Sequence, residues 1–498
     1  MNPAGLITAP DRLYIGGEWV RPSTEALIDV INPSTEEVFL RVAEAQDADI
    51  RRAVAAAREA FDEGPWRKLS HAERGEYVRA LGRALRRRSD DIVHIWTSEM
   101  GITREVALGA LEMAFAAYEQ NANLATSFAF EERHRPMWGG ELGLLVREPV
   151  GVVGAIIPWN APPVLIAYKI APALVAGCTV VLKASPEAPG SAYFVAQVAD
   201  EIGLPKGVFN VVTADRTASE SLVRDPNVDK ISFTGSSAAG RRIASICGER
   251  VARFTLELGG KSAGVVLDDC DVGTVADAIG AAAPTLTGQV CCSVTRLVID
   301  SRRHDDLVSA LSERFRHITV GDPFAAGTGM GPLAMRRQRD RVEYFIAAGK
   351  SEGAQLACGG GRPAHMTRGF FIEPTVFGKV DNTSTIAREE IFGPVISVIP
   401  ARDERDALRI ANDTIYGLNA SVFTRDAERA YQLARELRSG TVGQNAVRAD
   451  ASIAFGGFKQ SGIGREGGIE GLLSFLETKT IILDGKPRHL LATREPSH

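Results

Sequence analysis

The feature that most constrains this chain is an unbroken alternation of apolar runs and helix-patterned segments between residues 150 and 236. Residues 150–157 (VGVVGAII) form an apolar run ending at Pro158, residues 167–176 fit a helix, and 179–183 (TVVLK) form a second apolar run. Residues 191–201 read as helix, and 208–212 and 230–233 as third and fourth strands, the last running into Thr234-Gly235-Ser236. Strands buried on both faces read as continuous apolar runs, and strands alternating with helices form parallel βαβ units. The fold class that follows is α/β, with nucleotide-binding potential at the carboxyl ends of the strands. Upstream, 47–61 predicts a capped helix closed near Gly64-Pro65, and 70–118 predicts further helices. A second α/β series runs from about 260 to 460, and the segment after about 470 is short and ends in a polar tail.

At 498 residues the chain exceeds one ordinary domain and suggests roughly two to four. With 57 Lys+Arg against 62 Asp+Glu the net charge is −5, so no basic excess points to nucleic acid or an anionic membrane surface. The longest apolar stretch, 170–182, falls short of the roughly 18 residues a membrane helix needs and is broken by Pro172 and Gly177. The N-terminus has no charged segment followed by an apolar one and does not read as a secretory signal. The cysteines at 178, 247, 270, 291, 292 and 358 show no framework spacing, which predicts a reduced, cytoplasmic setting. The eight histidines make no HExxH or Cys/His pattern, so no metal site is expected.

Four short segments hold residues that suit chemistry, and each has a plainer reading. In Gly288-Gln289-Val290-Cys291-Cys292, a cysteine is a strong nucleophile once ionised, or a small buried hydrophobe. Glu257, in LELGGK, becomes a general base if desolvated, or is a strand-end carboxylate paired with Lys261. In Phe233-Thr234-Gly235-Ser236 a strand enters a glycine turn that opens a helix, whose exposed N–H groups suit a phosphate; an ordinary strand-turn-helix fits as well. Asn160, in PWN, stands just past a strand end, where its amide can serve an oxyanion or simply a turn.

Together and in this order, these segments resemble the aldehyde dehydrogenase superfamily, in its non-acylating, hydrolytic branch. The resemblance runs from about residue 12 to about 480 through EPVGVVGAIIPWN, LVAGCTVVLKASPEAP, ISFTGSSAAGR, LELGGKS, GQVCC, EEIFGPV and FGGFKQSGIGREGG. It implies a Rossmann-like cofactor domain, an α/β catalytic domain and a small β oligomerisation extension. It implies that Cys291 is the nucleophile, Glu257 the base and Asn160 the oxyanion donor, with Cys292 at a variable position. Trp159, Lys183, Gly235, Ser236, Glu390 and Phe392 match cofactor-binding positions. The reaction implied is oxidation of an aldehyde to a carboxylic acid with NAD, NADP standing as the alternative, through a Cys291 thiohemiacetal and a thioester hydrolysed by Glu257-activated water.

The resemblance also divides the chain into a cofactor domain at 1–126 and 150–259, a catalytic domain at 260–470, and an oligomerisation extension and tail at 127–149 and 471–498. The extension strands are expected to pair with another subunit, giving a homodimer or homotetramer. The sequence departs from the family pattern at several positions. Where members often carry a glutamate three residues after the Lys183 position stands Pro186, followed by Glu187. Leu286 replaces a usual asparagine, and Ala161 a frequent aromatic. Leu165 and Tyr168, one helical turn apart, are expected along the substrate channel. Arg448, near Asp450, fits a substrate carboxylate or a solvated loop. A CoA-acylating relative, a silent scaffold and a thiol esterase are the rival readings. The retained Glu257, Cys291 and Asn160 argue against the first two, and turnover of esters without nicotinamide would mark the third.

Overall fold

The computed structural model describes residues 5–490; the first four residues and the polar tail from 491 lie outside the described residues. Five parallel strands form the heart of the first sheet, in spatial order Arg253–Glu257, Lys230–Thr234, Val152–Ile156, Thr179–Ala184 and Phe209–Thr213. Leu13–Ile15 and Glu18–Val20 extend one edge antiparallel, and Gly462–Ile463 caps the other. Neighbouring residues of one strand serve different cores. Val153 and Ala155 pack with the helices of one face, Val152 and Ile156 with those of the other. Burial on both faces is why these strands lack a period-two pattern.

Chain order moves outward from Val152–Ile156 through Thr179–Ala184 to Phe209–Thr213, then returns to Lys230–Thr234 on the opposite side of the starting strand. This reversal opens a crevice between Val152–Ile156 and Lys230–Thr234 at their carboxyl ends, where open α/β sheets bind ligands. The first strand is shorter than its apolar run. Gly151 (φ +129°) bends the chain away from Leu142–Pro149, and a Cβ there would collide with the Asp229 carboxylate. The helix expected from 167 instead spans Pro162–Ala176, because prolines in a first turn lack only an N–H that would be unpaired anyway.

Helix Asp47–Asp62 is capped by Gln46, whose N–H donates to Asp49 at 3.0 Å. Helices His71–Arg87, Ser89–Met100 and Arg104–Ser127 fill the region read as helical. The second sheet runs Gln355–Cys358, Thr375–Gly378, Val395–Ala401, Val294–Asp300, Ser262–Val266, Asn419–Phe423 and Thr441–Gln444, all parallel except the first. Only Leu258 to Lys261 separate the last parallel strand of the first sheet from Ser262–Val266, so Glu257 stands where the two sheets meet.

A third, antiparallel sheet joins Glu131–His134, Leu142–Pro149 and Leu476–Leu483. The extension and the C-terminal strand, expected to pair with another subunit, thus pair first with each other within the chain. The sequence offers no local sign of this, because the partners lie more than three hundred residues apart.

Candidate active site

After helix Val272–Ala282 the chain takes three left-handed residues, Leu286 (φ 49°), Thr287 (φ 54°) and Gly288 (φ 72°). A non-glycine residue pays about 1–2 kcal/mol for that conformation, so neighbours must hold it. Thr287 Oγ1 donates to the Gly331 and Pro332 carbonyls at 3.1 Å each, Gln289 Nε2 donates to Leu286 O at 2.8 Å, and Ala334 N donates to Gln289 Oε1 at 3.0 Å. Asparagine tolerates this conformation well; here leucine is kept in it because its side chain is buried in the core of the first sheet. The turn sets Cys291 and Cys292 just ahead of strand Val294–Asp300.

Asn160 meets this loop from the other side. Its amide Nδ2 donates to Gln289 O at 3.0 Å, and its backbone carbonyl accepts from Trp96 Nε1 at 3.2 Å. One amide N–H is thereby fixed and the second remains for a ligand. The hydrogen bond between the adjacent thiols raises the Cys291 pKa, and burial and the Glu390 and Glu257 carboxylates raise it further. Cys291 therefore needs a base to become a thiolate.

Glu257 ends its strand beside Thr234 and is buried, with neither carboxylate oxygen hydrogen-bonded among the described residues. Burial raises its pKa well above the ordinary carboxyl value, and Glu466 raises it further against the opposing charges of Lys169 and Arg465. Lys261, the partner considered from sequence, does not pair with it. The Lys261 ammonium is itself buried without a hydrogen-bond partner among the described residues, its pKa pushed down to about 7 by burial and by Arg296. Behind Glu257, Lys169 is ion-paired to Glu466, with side chains 0% and 4% exposed, and donates to Ser232 Oγ at 3.3 Å. Sequence reading missed this pair. Its signal was present, since Lys169 is the lone charge in the apolar helix Pro162–Ala176.

A cleft of about 720 Å³ fills the crevice, lined among others by Trp159, Lys183, Glu187, Thr234, Gly235 and Ser236. Helix Ser237–Glu249 opens onto it, Ser236 Oγ accepting from Ala239 N at 3.3 Å, and its first N–H groups suit an anionic group. Thr234 Oγ1 is buried without a hydrogen-bond partner among the described residues. Lys183 is pushed down to about 8 by burial, offset by Glu187 and Asp215. A dinucleotide fits this donor set. Glu390 and Phe392 lie beyond the cleft lining, where the Phe392 ring meets Trp159 edge-on at 5.4 Å. Phe392 has φ 60°, and Gln338 Nε2 holds its carbonyl at 2.6 Å and that of Ile391 at 3.2 Å. Glu390 accepts from Gly260 N at 3.1 Å, and burial pushes its pKa up to about 7. Gly260 has no room for a side chain, because a Cβ would stand 2.5 Å from Cys291 O. Of the channel positions, Tyr168 is buried and within electrostatic reach of Cys292 and Asp450, while Leu165 is half-buried. Arg448 is exposed, its carbonyl accepting from Asn419 Nδ2 at 2.9 Å.

Fold and site define a class, an α/β enzyme that sets a thiol beside a nucleotide crevice. The model of the aldehyde dehydrogenase family matches residues 19–481, and the chain belongs to that family. It is 42% identical to the geranial dehydrogenase of Castellaniella defragrans, over 95% of this chain and 98% of that protein. Among solved structures it is similar to a Mycobacterium tuberculosis aldehyde dehydrogenase complexed with NAD+ (TM-score 0.93, 42% identity, covering 95% and 98% of the two chains). It is also similar to an aldehyde dehydrogenase C mutant of Pseudomonas syringae complexed with NAD+ and octanal (TM-score 0.92, 38% identity, 96% and 98%). The protein is an NAD(P)-dependent aldehyde dehydrogenase that oxidises an aldehyde to a carboxylic acid.

Proposed function

We propose that Cys291 is the nucleophile, Asn160 the oxyanion donor and Glu257 the base of a hydrolytic aldehyde dehydrogenase using NAD. The observation that carries this reading is the Glu257 carboxylate, buried, with no hydrogen bond among the described residues and within electrostatic reach of Cys291. Cys291 gives up its proton to solvent, and its sulfur attacks the aldehyde carbon to form a thiohemiacetal. The free N–H of Asn160 and the Cys291 backbone N–H stabilise its oxyanion. Bound in the cleft, the nicotinamide supplies the hydride acceptor that leaves a thioester on Cys291. Glu257 then takes a proton from water, and the hydroxide releases the acid and the free thiol. The Lys169–Glu466 pair lies within electrostatic reach of Glu257 and tunes its carboxylate.

Trp159, Lys183, Gly235 and Ser236 are assigned to the dinucleotide along the cleft, and Glu390 and Phe392 to its nicotinamide end. The complexes of the Mycobacterium and Pseudomonas enzymes with NAD+ support NAD as the cofactor. Half-buried Trp159, Ala161, Leu165 and Val290 favour an apolar aldehyde, in keeping with octanal and geranial among the relatives. The sheet memberships support a cofactor domain at 1–126 and 150–259 and a catalytic domain at 260–470, although Gly462–Ile463 reaches back to the first sheet. The third sheet, with Met137 and Trp138 exposed beside it, is assigned to a homodimer or homotetramer contact. Among the described residues no helix is long and apolar enough to cross a membrane, and six free cysteines suit a cytoplasmic location. An aldehyde panel run with NAD and without CoA is expected to yield free acid and NADH; product that required CoA would contradict the hydrolytic reading.

A further inference from the structure

The first sheet fixes the direction of the cleft. Glu257 ends one outer parallel strand, Thr234 the next and Ile156 the one after, and Lys183 belongs to the fourth. Lys183 therefore stands three strand spacings, about 14 Å, from Glu257, a distance that suits the far ribose of a dinucleotide whose nicotinamide faces Cys291. Two residues further on, the Ala188 N–H donates to Ser185 O at 3.3 Å and closes a turn with Pro186 and Glu187 at its centre. Proline pre-sets the first central position of such a turn, and the second, Glu187, folds back over the chain. Its Oε2 accepts from the Ser185 hydroxyl, and its Oε1 is ion-paired with Arg337, which reaches over from helix Arg336–Ser351.

The Glu187 side chain is 22% exposed while that of Arg337 is 67% exposed, and both line the cleft with Lys183. Burial acts to raise the Glu187 pKa, but the Ser185 hydroxyl and Arg337 outweigh it and hold the carboxyl below its usual range. At a ribose, a carboxylate accepts hydrogen bonds from hydroxyls, whereas an arginine accommodates a 2′-phosphate. Here the two determinants are both present and tied to each other.

We propose that Glu187 sets the cofactor preference of this enzyme, accepting the 2′-hydroxyl of the NAD ribose and, by engaging Arg337, keeping that guanidinium from the 2′-phosphate of NADP. The inference rests on the dinucleotide assignment above. Glu187→Gln keeps a side chain of the same shape, removes the charge that repels phosphate and releases Arg337. Dissociation constants for NAD and NADP, read calorimetrically without aldehyde, test it. Wild type is expected to bind NAD more tightly than NADP. In Glu187→Gln, NADP is expected to tighten by about tenfold and NAD to weaken severalfold, since a charge-assisted hydrogen bond is gained by one and lost by the other. Adding Arg337→Ala to Glu187→Gln is expected to abolish the NADP gain, while Arg337→Ala alone keeps NAD binding, because Ser185 still orients the carboxylate. An NADP affinity unchanged in Glu187→Gln, or a gain that survives loss of Arg337, overturns the inference and leaves the dinucleotide assignment standing. Failure of wild type to bind either cofactor in this cleft overturns both.

Discussion

At the scale of single residues, the site depends on a carboxylate that burial keeps from ionising readily. Glu257 must be deprotonated to act as a base, so hydrolysis is expected to fall as pH drops through its raised pKa. The acid limb should lie well above the value of about 4.3 for an unperturbed glutamate. Glu466 pushes that pKa up while Lys169 and Arg465 pull it down. Arg465 is half-buried, donates to the Gly457 and Gly464 carbonyls and lies over the Phe458 ring, with no ion pair among the described residues, so Arg465→Gln is expected to preserve the fold. Loss of its charge should move the acid limb of the deacylation rate to higher pH; a limb that stayed in place would deny the coupling. The sequence exposed the residues proposed to react because each sits in a distinctive local string. It did not expose their surroundings. The pairing of Lys169 with Glu466 joins residues almost three hundred positions apart, and the isolation of Lys261 from Glu257 follows from burial that no string encodes.

At the scale of elements, the catalytic geometry is set by turns with unusual backbone. Gly288 has φ +72°, and a Cβ there would strike the backbone of Gly393 and Pro394, which follow Phe392. Gly288→Ala is therefore expected to separate the cysteine turn from the Phe392 loop. Misplacement by about 1 Å costs on the order of a hundredfold in rate, so activity should fall by about that much while the chain still folds. Gly248→Ala makes a control. It lies in helix Ser237–Glu249 with no atom within 4 Å of the new methyl, and it should stabilise the protein by about 0.5–1 kcal/mol in thermal melts without loss of activity. Equal activity in Gly288→Ala and wild type would show that the contact does not position Cys291. The strands and helices around these turns were legible because apolar runs and caps are local signals. The left-handed run at Leu286 was visible only as an unexplained substitution, since burial in a distant core is what holds it.

At the scale of the whole molecule, the two parallel sheets meet at Glu257, and the third sheet stands apart from them in composition. One of its faces packs Leu142, Leu144 and Leu490 together. Elsewhere it borders a groove of about 320 Å³ lined by Met137, Trp138, Leu145 and Ile482, with Met137 and Trp138 90% and 86% exposed. This exposed apolar surface is the one proposed above as the contact between subunits. Replacing both with serine is expected to lower the sedimentation coefficient toward that of a monomer; an unchanged assembly would place the contact elsewhere. The break in texture at residue 150 was visible in the sequence. The partner of the extension was not, because antiparallel pairing carries no signal across such a separation.

The central claim is that oxidation passes through a thioester on Cys291 that Glu257 resolves. Intact-protein and peptide mass spectrometry of Glu257→Gln after brief mixing with aldehyde and NAD tests it most directly. An acyl group that accumulates on Cys291, in step with one equivalent of NADH, is the predicted result. NADH formed without any adduct, or an acyl group found on Cys292 instead, would contradict it.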